Sequence, residues 1–62
     1  MYILKNKIDI KNQRKAAKII GIDEATLCRI LKGKQSTHKT TAYCIVKYYD
    51  PNAEVYDYFK GE

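Results

Sequence analysis

At 62 residues this chain holds one small domain, close to the lower limit for a self-sufficient apolar core and too short for a walled enzyme cleft. A single histidine, with no glycine-rich phosphate loop, metal cluster or paired acids, leads us to expect no enzymatic activity, no cofactor and no small-molecule substrate. The net charge of +5 is unevenly spread, with ten Lys/Arg against Asp9, Asp23 and Glu24 between Lys5 and Lys39 (a local +7) and −2 from Thr40 onward, which points to a polyanion at one surface or to a plain solvated lysine face.

The first residues, Met1-Tyr2-Ile3-Leu4, have strand-like composition, while Lys5–Ile10 could form a turn of helix. The chain therefore opens on either a short edge strand or a stunted first helix. In both cases Ile3, Leu4, Ile8 and Ile10 would cover the back of the helical segment beyond them. Lys5 and Lys7 end the apolar run far short of a signal peptide or membrane span, so a cytoplasmic protein without membrane contact is expected.

Gln13–Ile20 is rich in good helix formers, and Asn12 before it can accept the orphan amides of the first turn. Gly21 follows where a helix would end through a left-handed residue. Asp23 offers a fresh cap for a second helix over Glu24–Lys32, and Gly33 is placed to end it in the same way. Helices separated only by Gly21-Ile22-Asp23 must cross steeply, and Ala17 supplies the small residue such a crossing needs. Ala17, Ile20, Ile22, Leu27 and Ile30 fall on the inward side of this unit, with Arg14, Lys15, Lys18, Thr26, Arg29 and Lys32 outside. The same pattern also suits an ordinary helical hairpin in a small bundle.

Lys34–Thr37 reads as a polar loop, with Thr37 as the cap of a third helix over His38–Tyr49 whose inward stripe is Ala42, Ile45, Val46 and Tyr49. Asp50-Pro51-Asn52 stops that helix, because proline disfavours helix in the residue before it. Ala53–Phe59 reads as a last short helix anchored by Val55, Tyr58 and Phe59. Tyr43, Tyr48, Tyr49 and Tyr56 lie in the lysine-poor half and are read as core edges or subunit contacts rather than base-stacking platforms. Cys28, His38 and Cys44 lack the paired spacing of a zinc site, so no metal is expected and both cysteines are read as free thiols in a reducing cytosol.

The segment Gln13–Lys34 resembles the phage repressor/Cro-type (xenobiotic-response-element) helix-turn-helix family. The resemblance rests on Gln13, Ala17, Gly21, Ile22, Thr26, Leu27, Arg29, Ile30, Gly33 and Lys34, weakens through Asp50, and is faint in the first dozen residues. It implies an all-α, lambda-repressor-like DNA-binding domain: a bundle of four to five short helices, residues 1–62 as one unit, the motif at 13–33, and an atypical short N-terminal segment. It also implies a sequence-specific transcriptional regulator of phage or mobile-element type that reads double-stranded DNA as a homodimer on a palindromic operator.

In such a unit the second helix enters the major groove N-terminus first, so Glu24, Ala25, Thr26, Cys28 and Arg29 become the base-contacting set. Family position singles out Glu24, Ala25 and Arg29 as readers. Arg29 can fork onto guanine O6 and N7, and Ala25 can pack on a thymine methyl. Glu24 stands where the family often has glutamine, and its carboxylate can accept from a cytosine amino group. Gln13, Lys15, Lys32, Lys34, Thr37 and Lys39 form the phosphate-contacting set. The C-terminal tyrosines and Phe59 are the expected dimer surface. A different class of function, a protein-interaction module such as an antirepressor or phage inhibitor, is favoured by the acidic pair Asp23–Glu24. An antitoxin would use the same DNA unit.

Overall fold

The computed structural model describes residues 1–61. Four helices and a two-stranded sheet follow in the order β1 (Tyr2–Leu4), α1 (Gln13–Ile20), α2 (Glu24–Leu31), α3 (Lys39–Tyr49), α4 (Val55–Tyr58) and β2 (Phe59–Gly61). No helix among the described residues is long and apolar enough to cross a membrane.

Local chemistry sets the first two helices. The Asn12 side chain accepts the Lys15 amide at 3.1 Å, so one of the orphan donors of α1 is met. At the other end Gly21 adopts φ +92°, and the amides of Gly21 and Ile22 both return to the Ala17 carbonyl at 2.8 and 3.0 Å. Asp23 then caps α2 by accepting the Thr26 amide at 3.2 Å. Gly33, with φ +71°, donates to Ile30 at 3.0 Å while Lys34 donates to Arg29 at 3.0 Å, the paired bonds of a Schellman ending. The helix itself stops at Leu31, one residue short of the expected Lys32, because Lys32 already serves as the C-cap residue of that motif.

The apolar pattern folds inward much as its periodicity requires. Ala17, Leu27 and Ile30 are buried, Ile20 and Ile22 are half-buried, and Ala16 joins them at the crossing with no exposure at all. Ala42, Ile45 and Val46 bring α3 into the same core, and Ile8, Ile10, Ala53, Val55 and Phe59 close it. Tyr49, expected on the inward stripe of α3, sits at the rim instead, 39% exposed with its ring edge-on to Tyr58.

The expected small helical domain is met in part: four helices make up about half of the described residues, but a short sheet joins them, β1 and β2 pairing antiparallel with Tyr2 opposite Gly61, Ile3 opposite Lys60 and Leu4 opposite Phe59. This pairing also decides the open question at the N-terminus in favour of a strand. The last helix does not reach Phe59, which turns extended at φ −122°, ψ 146°. Continuing the helix would have run it into Gly61, a poor helix former, whereas the extended turn seats the Phe59 ring in the core at 1% exposure. The exposed carbonyls at the end of α4 find donors in the N-terminal segment. Tyr58 accepts from the Lys5 and Asn6 amides at 2.8 and 3.3 Å, and the Asn6 side chain donates to Asp57. Thr37, finally, does not cap α3. His38 holds the cap position without a side-chain bond, and Thr37 exchanges backbone hydrogen bonds of 2.7 and 2.8 Å with Tyr2 instead.

Candidate functional site

An eight-residue helix with Leu27 and Ile30 fully buried must turn its other flank outward. That flank carries Ala25, Cys28, Arg29 and Lys32 at steps of three, four and seven, with Glu24 at the leading end. Glu24, Ala25, Arg29 and Lys32 differ in exposure from Thr26 and Cys28: Glu24 and Ala25 are exposed at the leading end, and Cys28 is half-buried lower on the same flank. The five residues expected to face bases therefore share the first two turns of α2.

Each charge at this end has a definite neighbour. The Asp23 carboxylate is engaged in the cap. Glu24 faces Arg14 of α1 across 3.7 Å, a pair open to solvent on both sides and so worth little to stability. It nonetheless offsets the negative charge at the tip. Arg29 is held from two directions, its Nε donating to Gln35 Oε1 at 2.8 Å and its Nη2 to Thr26 Oγ1 at 3.4 Å. Gln35 was not anticipated. It lies six residues beyond Arg29 in a polar loop, and nothing in the composition of that loop marks one polar residue above another.

The expected phosphate-contacting residues divide. Lys15, Lys32 and Lys34 are exposed, and Gln13 is half-buried at the start of α1. Thr37 is largely buried, 8% exposed, and its backbone is tied to Tyr2. Lys39 is exposed but leans over the Tyr56 ring, 5.5 Å from its centroid. There it belongs to a second cluster. The Tyr2 and Tyr56 hydroxyls lie 3.4 Å apart, and that bond, followed by the hydrogen bond and charge of Lys39, holds the Tyr56 phenol below the ordinary tyrosine range. The same contacts push Tyr2 upward through its bond to Tyr56, and raise Lys39 through its hydrogen bond to the Tyr56 phenol.

Beside that cluster runs an open groove of about 330 Å³, lined by Lys39, Tyr43, Lys47, Glu54, Val55 and Tyr56. Tyr43, Tyr49 and Tyr56 are exposed, whereas Tyr48 and Tyr58 are packed against the core. Phe59 is corrected as a surface residue, since the core encloses it. Cys28 and Cys44 are both free thiols. Comparison of the chain with protein-family models, with characterised proteins and with solved structures finds no match.

Proposed function

We propose that this protein is a sequence-specific DNA-binding regulator, a helix-turn-helix domain of the phage or mobile-element repressor/Cro type, and not an enzyme. The single observation that carries the reading is the outward leading half of α2. Glu24, Ala25 and Arg29 lie on the flank of a helix whose reverse side is fully buried at Leu27 and Ile30. A short helix propped on its neighbour through a left-handed glycine can enter a major groove end-first, while the neighbour crosses the backbone. The lysines around it, Lys15, Lys32 and Lys34, suit phosphate neutralisation, and Gln13 at the start of α1 suits a backbone contact.

The acidic pair that favoured a protein-interaction module has a local use at both positions. Asp23 caps α2 and Glu24 faces Arg14, so neither demands a basic partner. Reach over a palindromic operator would come from a homodimer with half-sites about one helical turn apart. Tyr43, Tyr49 and Tyr56 are the exposed aromatic residues available for that contact.

Fluorescence anisotropy against a random duplex pool tests the reading directly. The expected result is binding that falls steeply as salt rises, with selection from the pool converging on a symmetric consensus. Weak binding at every salt concentration would leave the protein-interaction reading as the better one.

A further inference from the structure

The hydrogen bonds of Arg29 restrict what its side chain can offer. A guanidinium can present a two-pronged donor face in two ways, side-on through Nε and one terminal nitrogen, or end-on through the two terminal nitrogens. Here Nε is engaged by Gln35 Oε1 at 2.8 Å, and Nη2 touches Thr26 Oγ1 at 3.4 Å. The side-on face is closed. The end-on face, with Nη1 and the remaining hydrogen of Nη2, is left for a ligand.

Gln35 is itself held in place. On one side the Lys34 amide is bonded to Arg29 in the ending of α2, and on the other Thr37 is bonded twice to Tyr2 of β1. The residue is half-buried between these two anchors. An arginine on an outward helix face ordinarily loses side-chain freedom when it binds, and a partner that orients it beforehand reduces that loss.

We infer that Gln35 is a positioning residue that clamps the Arg29 guanidinium edge so that only its end-on fork reads a guanine in duplex DNA. Gln35 thereby sets selectivity at a base it does not touch. The inference rests on the DNA-binding reading and deepens it at one residue.

Two measurements keep the clamp and the DNA reading separable. In the free protein, the Arg29 Nε–H resonance should be protected from exchange, and Gln35→Ala should speed that exchange while leaving the amides of α2 unchanged. Gln35→Glu, which keeps the acceptor, should restore the protection. In DNA binding, Arg29→Ala should lose between about fivefold and a hundredfold of discrimination at one guanine position. Gln35→Ala should lose a part of that, about three- to tenfold, at the same position and with the same dependence on salt. In the Arg29→Ala background the Gln35 substitution should then have no further effect.

Unchanged Nε–H exchange in Gln35→Ala overturns the clamp, whatever the protein binds. Additive losses from the two substitutions overturn it as well, since Gln35 would then act on its own. A clamp seen in the free protein that binds no duplex overturns the selectivity role together with the function beneath it.

Discussion

The two halves of this chain use their lysines in different ways. Around α2, Lys15 and Lys34 are exposed, and the one ion pair among the described residues is Arg14–Glu24. On the α3–α4 side, Lys47 donates to the Pro51 and Ala53 carbonyls at 3.3 and 2.8 Å and lies over the Tyr43 ring. Lys39 lies over Tyr56 in the same fashion. The lesson is that net charge is a poor map of which cations are free. Cations already engaged with carbonyls and ring faces are tied to the fold, and those left in open water are the ones free to neutralise a phosphate and release the counterions condensed on it.

This contrast gives the sharpest tests. The largest effect is expected in the core: Phe59→Ala should cost about 3–5 kcal/mol in chemical denaturation, a large share of what a small domain has. The variant that remains folded at low temperature should keep its base preference, and a changed preference would break the division between the halves. Next comes the turn. A Cβ at Gly21 would meet nothing within 4 Å, so Gly21→Ala tests backbone strain alone, expected to cost about 1–2 kcal/mol. A variant as stable as the parent would show that the left-handed turn is not required.

The two kinds of lysine can be compared directly. Lys34→Ala should leave stability nearly unchanged, weaken binding to all duplexes alike and lower the salt slope by about 1. Lys47→Ala should instead destabilise by about 1 kcal/mol through the lost carbonyl contacts, with the salt slope untouched. Equal behaviour of the two variants would erase the contrast. The smallest effect is spectroscopic. Because Tyr56 is held below the ordinary tyrosine range, chiefly by Tyr2 and then by Lys39, it should be the first phenol to ionise as pH rises. Tyr56→Phe should remove that earliest phenolate absorbance, and Lys39→Ala should move it to higher pH.

Much of the helical half was legible because its determinants act over three to five residues. Asn12 meets Lys15, Gly21 meets Ala17 and Asp23 meets Thr26, and each pair can be read from composition and spacing. Burial of Leu27, Ile30, Ala42, Ile45 and Val46 follows from helical periodicity in the same way. The outward placement of Arg29 and Lys32 comes from that same arithmetic, whereas the set Glu24, Ala25 and Arg29 was singled out by the family resemblance. Thr37 and Phe59 were misplaced because local rules were applied where a distant partner decides. A threonine before a helix is ordinarily a cap, but here Tyr2 claims its backbone. A run ending in Tyr-Phe suits a short helix, but Leu4 offers a strand and the core offers a place for the ring.

By itself, then, the order of residues determined the helices α1 to α3 close to their ends, the left-handed glycines and the outward stripe of α2, since each depends on neighbours along the chain. The closure of Tyr2–Leu4 on Phe59–Gly61, the pairing of Thr37 with Tyr2 and the grip of Gln35 on Arg29 were decided only in three dimensions. Their partners stand on different elements, and no period or propensity in one segment reports what the folded chain will bring beside it.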